Sequence, residues 1–255
     1  MKISAFIVAY NEADNIANAV RSLNFADEIV VIDNASGDDT GKIARKLGAR
    51  VIRLEKNLGY AEAKKIAIEN CANRWVFWLD ADERVSPELA RAIEKISEGD
   101  FERFAAFCVR RKSFFIRRWI RHCGWGNERI IRLFDRTRAG ISDSLVHEGV
   151  VVRGPVGEVD GEILHYTARD FYTFFAKQMK YARLSAQQMV QKGRKVSVLD
   201  IVFRPIAAFI RTFFVKLGFL DGVEGFAISA VNACYTFLKY ATAYYWSVPR
   251  KEDLG

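Results

Sequence analysis

The chain has 255 residues, half of them hydrophobic, 27% charged, with a formal net charge of +8; this length and apolar content support one generous domain plus a helical appendage and exclude a disordered chain. The positive balance favours anionic partners, whether nucleotide, anionic membrane surface or nucleic acid. Cys71, Cys108, Cys123 and Cys234 are scattered without paired spacing, which excludes a disulfide framework or a zinc motif and fits a reduced, cytoplasmic setting.

Met1-Lys2 leads directly into an apolar run too short for a signal peptide. Residues 3 to 112 then alternate short apolar runs with helix-period segments, the pattern of a mostly parallel sheet covered by helices. Ile3–Ala9, Glu28–Asp33, Arg50–Leu54, Trp75–Leu79 and Ala105–Arg110 read as strands. Ile16, Ala19, Val20 and Leu23 form one helix face between the first two, and Ala63, Ile66 and Ala67 another between the third and fourth. Ser86-Pro87 starts a helix over Glu88–Ile96, with serine at the cap and proline at the first helical position. Arg129–Asp135 and Glu162–Tyr166 are further strands.

After Ala168 the texture changes: Phe171–Lys192, Val198–Leu217 and Val223–Trp246 are long helical segments rich in Phe, Tyr and Ala. The expected division is an α/β domain over residues 1–168 and an amphipathic helical region over 169–255. Phe226–Trp246 comes nearest to a membrane span, but Asn232 and Lys239 interrupt it. An interfacial helix on an anionic membrane surface fits its aromatic and basic residues better, with helices packed on the α/β domain or in a homo-oligomer as the alternative. The basic cluster Arg110–Arg121 is read as an amphipathic membrane-facing or acceptor-facing segment, and no nucleic-acid role is expected, because the other basic clusters also accompany apolar helices.

The chemistry gathers where strands end. Ala9-Tyr10-Asn11-Glu12, Asp33-Asn34-Ala35-Ser36-Gly37-Asp38-Asp39, Asn57-Leu58-Gly59 and Asp80-Ala81-Asp82-Glu83 follow the first four strands, and in a parallel sheet these ends share one edge, where such sheets bind ligands. Asp80 and Asp82 follow Trp75–Leu79, a run that can only be a buried strand. An Asp-x-Asp pair offers Mg²⁺ or Mn²⁺ hard oxygen ligands and leaves positions for phosphate oxygens. The chain therefore reads as a metal-dependent, nucleotide-using enzyme. Asp38 and Asp39 are read as carboxylates favouring a helix N-terminus. His122 and His165 are read as structural. Trp125, Arg129 and Arg132 are candidates for an acceptor pocket, Arg129 and Arg132 equally for a solvated strand face.

The ordered set Tyr10-Asn11-Glu12, Asp33, Trp78–Glu83, Arg132-Leu133-Phe134 and Val146-His147-Glu148 resembles family 2 glycosyltransferases of GT-A fold, most closely the bacterial lipopolysaccharide core glucosyltransferases among them. The resemblance spans nearly the whole chain, and it implies an inverting transfer of a hexose, glucose from UDP-glucose, onto a lipopolysaccharide-type glycolipid or oligosaccharide acceptor. It casts Tyr10 as the residue packing on uracil, Asp33 as acceptor for a base N–H, and Glu12 as part of the nucleotide-binding segment. Lys64, where many relatives carry arginine, would approach the pyrophosphate or base. Asp80 would meet ribose or the metal-bound phosphates, and Asp82 would be the direct metal ligand. Glu148 is the implied general base, with Asp143 in reserve. The expected location is peripheral, on the cytoplasmic face of the inner membrane.

Two other readings compete. A transferase that charges a polyprenyl phosphate would need no general base, because its acceptor is already ionised. A catalytically silent, membrane-docked nucleotide-binding module would need no intact carboxylates, yet Asp80, Asp82 and Glu148 are all present. A dinucleotide-dependent oxidoreductase is disfavoured, since no Gly-x-Gly-x-x-Gly follows the first strand.

Overall fold

The structure is a computed structural model that describes residues 1–116, 118–126, 128–141, 149–168 and 170–247. The chain forms two compact units: Met1–Lys112 with Glu128–His165, and Ser113–Asn127 with Tyr166–Gly255. The segment Ser113–Asn127 thus groups with the C-terminal helices, a division that sequence texture, which changes only after residue 168, does not mark.

In the first unit, β1 (Ile3–Ala9), α1 (Ile16–Arg21), β2 (Glu28–Asp33), α2 (Thr40–Lys46), β3 (Arg50–Arg53), α3 (Tyr60–Asn70) and β4 (Trp75–Asp80) alternate as the periodicity implies. β1 pairs in parallel with β2 and with β4, and β2 with β3. Successive residues of β1 and β4 enter opposite layers, as a pleated strand requires. Ala5, Ile7, Phe77 and Leu79 enter one layer, and Phe6, Val8, Val76 and Trp78 the other. The strand order β3-β2-β1-β4 reverses direction at β1, and a doubly wound sheet opens its ligand crevice beyond the carboxyl ends at such a reversal.

The strands after β4 add antiparallel pairings. β5 (Glu83–Val85), α4 (Pro87–Glu94), α5 (Glu98–Arg103), β6 (Ala106–Phe115), β7 (Arg118–Trp119), β8 (Glu128–Asp135), β9 (Ala139–Ile141), β10 (Val150–Val152) and β11 (Val156–Ala168) follow in chain order. β8 pairs with β4 and β6, and β11 with β5. The path β4-β8-β6-β11-β5 ends on a strand that begins three residues after β4 ends, so the sheet curls back on itself. β11 is longer than the predicted Glu162–Tyr166. Its first half alternates polar and apolar residues, and their β pairing outweighs the weak apolar signal.

The curl requires close packing of α4 on β11. Gly161, at φ +106°, would place a Cβ 2.5 Å from the backbone N and Cα of Leu89. Gly161→Ala is therefore expected to cost about 3 kcal/mol, from backbone strain and overpacking together. Thermal unfolding of the variant checks this, and an unchanged melting temperature would contradict the close approach.

The second unit holds the end of β6, β7, α6 (Phe171–Gln191), α7 (Val198–Ile210) and α8 (Gly222–Ser247). Asp170 caps α6 by accepting from the Thr173 N–H, and Ser197 with Asp200 forms a capping box on α7. The segment read as one helix over Val198–Leu217 is α7 followed by a π-helical turn at Arg211–Val215 and a left-handed residue, Leu217. Phe115, Ile120, Cys123, Phe174, Ile228 and Val231 make one core of this unit, with Trp125 packed against it. His122 Nδ1 lies 3.2 Å from buried Asp221, which also accepts the His122 and Arg121 backbone N–H groups. These contacts fit the structural reading of His122, and Trp125 is partly buried against the core.

Candidate active site

The loops after β1, β2 and β3 are laced together by short polar side chains. Asn11, at φ +56°, donates its N–H to Ser36 Oγ (3.1 Å) and accepts from the Gly37 N–H (2.7 Å). Asp38 accepts from the Ala13 and Thr40 N–H groups, so it ties two loops rather than only favouring a helix end. Buried Asn34 donates to Asn57 Oδ1 and the Gly59 carbonyl and accepts from the Leu58 N–H. This lattice fixes the rim and leaves Tyr10 exposed at the end of β1.

Glu12 and Asp33 belong to that lattice. Glu12 donates its N–H to Thr40 Oγ1 (2.8 Å), and its carboxylate accepts from Asn15 Nδ2 (2.7 Å). Asp33 is 1% exposed. It accepts from the Ser36 N–H (2.9 Å) and from Arg53 Nη1 (3.0 Å), so the base-binding role inferred from resemblance needs a lone pair beyond those two bonds.

At the end of β4 the carboxylates sort into distinct environments. Asp80 accepts from Trp78 Nε1 (2.9 Å) and from Arg132 Nη2 (2.8 Å). Burial alone would raise its pKa, but the Arg132 and Lys64 charges, with hydrogen bonds from Arg132 and Trp78, hold the carboxyl well below the usual carboxylate range. Glu83 is fully buried and accepts from Arg132 Nη2 (2.7 Å) and the Asp80 N–H (3.1 Å), with Arg111 Nη1 at 3.5 Å. Arg132 is 3% exposed, so it is an internal clamp and not a residue of a solvated face. Its guanidinium lies 4.0 Å from the Trp78 ring centroid, and Lys64 Nζ lies 3.9 Å from the same centroid. One indole thus carries two cations, Arg132 bonded to Asp80 and Glu83 and Lys64 acting on Asp80. Arg129 pairs with Glu158 at the surface.

Asp82 points elsewhere. Its Oδ2 is 3.5 Å from Nε2 of His165 on β11. The register His165↔Glu83 between β11 and β5 creates this approach, and sequence reasoning missed it. Nothing in a lone histidine on a predicted strand announces a partner more than eighty residues away. The donor chemistry fits a divalent cation: a carboxylate oxygen and an imidazole nitrogen converge, and both oxygens of neighbouring Asp80 already accept hydrogen bonds. Among the described residues no group of three such side chains forms a closed cage. Asp143, His147 and Glu148 lie outside the described residues.

The profile of Glycosyl transferase family 2 matches residues 4–149, which include every strand end described above. The chain belongs to this family. An uncharacterized glycosyltransferase of Rickettsia prowazekii is 32% identical over 251 residues, covering 94% of this chain and 86% of its own length. The lipopolysaccharide core biosynthesis glycosyltransferase LpsC of Rhizobium meliloti is 30% identical over 257 residues, 96% of this chain and 92% of its own. Among solved structures, the mannosyltransferase PcManGT from Pyrobaculum calidifontis, in complex with GDP-Man and Mn²⁺, aligns with a TM-score of 0.57 at 15% identity. That alignment covers 97% of this chain and 88% of that one, and it shows the shared GT-A fold. The family and fold implied by the sequence are thereby borne out for this glycosyltransferase.

Proposed function

We propose that this family 2 glycosyltransferase moves a hexose, glucose from UDP-glucose, onto a membrane-anchored glycan of the lipopolysaccharide-core type, with inversion at the anomeric carbon. The observation that carries the catalytic part is Asp82 against His165, beside an Asp80 held ionised at the reversal point of the sheet. The acceptor class draws support from the likeness to LpsC over almost the full length of both chains.

In this reading Tyr10, exposed at the end of β1, stacks on the uracil. Asp33 and Glu12 keep the first two loops in register for the nucleotide. Lys64, fixed on Trp78, brings positive charge to the diphosphate side, while Arg132 holds Asp80 and Glu83 in place. Asp82 and His165 would hold Mn²⁺ or Mg²⁺, with Asp80 oriented to ribose or to the phosphate side. A cation bound there supplies neutralisation of the charge that grows on the departing nucleoside diphosphate. Glu148 accepts the proton of the acceptor hydroxyl as that oxygen attacks the anomeric carbon from the face opposite the leaving group. Asp143 is the reserve for that role.

The test is nucleoside diphosphate release from a panel of UDP-, GDP- and ADP-sugars, with and without Mn²⁺ or Mg²⁺, using a lipid-linked glycan acceptor. Metal-dependent release from UDP-glucose alone is the expected result. Glu148→Gln should lower turnover by about 10²–10⁴-fold, the usual worth of a general base. Full turnover in both Glu148→Gln and Asp143→Asn would instead favour a polyprenyl phosphate acceptor. No release from any donor would favour the silent nucleotide-binding module.

A further inference from the structure

The sequence points to Phe226–Trp246 as the membrane-contacting helix, but α8 spends much of its surface internally. Ile228, Val231, Tyr240 and Ala243 are buried in two cores of the helical unit. Lys239, which interrupts the apolar run, lies over the rings of Tyr235 and Tyr240 instead of projecting to solvent. α7 is the opposite case: none of its residues is buried. Val198, Leu199, Val202, Phe203, Ile206 and Ile210 are all exposed, and at 100° per residue they fall within an arc of about 140°. Phe214, Val215 and Leu220 in the turns beyond, and Val223 at the start of α8, are each more than half exposed as well. Together these side chains present on the order of 1,000 Å² of apolar surface, well beyond the patch a soluble monomer normally shows.

We propose that the exposed face of α7, with the turn after it, is a docking surface for an anionic lipid bilayer. Charge selects this occupant. Lys192, Arg194 and Lys195 precede this face and Lys216 follows it, all exposed, whereas Arg204 falls about 170° from the centre of the apolar arc, on the other side of α7. The acids there are Asp200, paired with Arg204, and Asp221, buried against His122. Among the residues of α7 no carboxylate falls on the apolar arc, so the cations at its two ends set the charge of the patch. A second copy docked through the same patch under twofold symmetry would set these basic ends against one another. Among the described residues no helix is long and apolar enough to cross a membrane, and α7 spans only about 20 Å, so it would lie in the plane of the headgroups.

The surface deepens the reading of a membrane-anchored acceptor and rests on it for its purpose. Its test is separable. The full-length protein is floated with vesicles of phosphatidylcholine, alone or mixed with phosphatidylglycerol, at low and high salt, while donor turnover is followed without vesicles. The expected result is salt-sensitive binding to the mixed vesicles. Binding should fall at least about tenfold in Val202→Gln/Phe203→Gln/Ile206→Gln, with unchanged vesicle-free turnover. Lys192→Gln/Lys195→Gln/Lys216→Gln should erase the preference for anionic vesicles. Wild-type protein that ignores the mixed vesicles, or apolar variants that bind like wild type, would overturn the proposal. A concentration-dependent dimer abolished by the apolar substitutions, without vesicle binding, would overturn it in favour of a second copy. Vesicle binding without turnover of any donor would support docking and sink only the catalytic reading.

Discussion

Asp82→Asn is expected to lower turnover about 10³-fold, equivalent to about 4 kcal/mol of transition-state stabilisation, with the melting temperature essentially unchanged. The contrast follows from where the carboxylate sits. Asp82 is partly exposed, and its contact with His165 Nε2 is a loose 3.5 Å, so asparagine fits the same space with little structural loss. Asparagine does remove the anionic oxygen that a divalent cation needs from this side chain. Steady-state turnover against Mn²⁺ concentration, with thermal unfolding on the same preparation, checks both halves. Turnover and metal dependence matching wild type would remove Asp82 from the metal-ligand role, whereas unfolding of the variant would make it structural.

The second large effect is on stability. Glu83→Gln keeps the volume of a fully buried side chain but removes the charge opposite Arg132, itself 3% exposed. Breaking one partner of a buried pair costs about 3–5 kcal/mol, since the remaining charge stays in a poorly solvating site. For a chain of this size that corresponds to a fall in melting temperature of roughly 10 °C. Activity should fall as well, because the Glu83 carboxylate also receives the Asp80 N–H and so helps set the backbone at the end of β4. Arg132 keeps Asp80 as a partner at 2.8 Å, so the loss of stability should fall toward the lower end of that range. In a cycle with Arg132→Met the two losses should combine to less than their sum, and simple additivity would mean that the two charges are not coupled as the 2.7 Å contact implies.

These two carboxylates are one residue apart, and the sequence treats them alike. Local pattern fixes that both follow a buried strand, because Trp75–Leu79 is a run no solvated element would carry. The same logic makes the alternating strands and helices through β4 legible, together with the shared edge that gathers Tyr10, Asp33 and Asp80. It fails where the determining contact is distant. Glu83 becomes a buried clamp only because β8 pairs with β4 and delivers Arg132 beneath the loop. Arg132 itself sits on a strand whose exposure the pattern left open.

His165 meets Asp82 only because the sheet curls until β11 pairs with β5, a closure that depends on Gly161 letting α4 approach. In the helical unit, composition determined that long amphipathic helices exist but not which face each one buries. Tertiary packing assigned α8 to the core and left α7 exposed, because burial is decided by which helix faces find partners. The sequence by itself determined the alternating elements and the carboxylates at the strand ends, since short-range periodicity and turn chemistry are local. Which carboxylate is buried and which helix face is bare required the pairings of residues far apart in the chain.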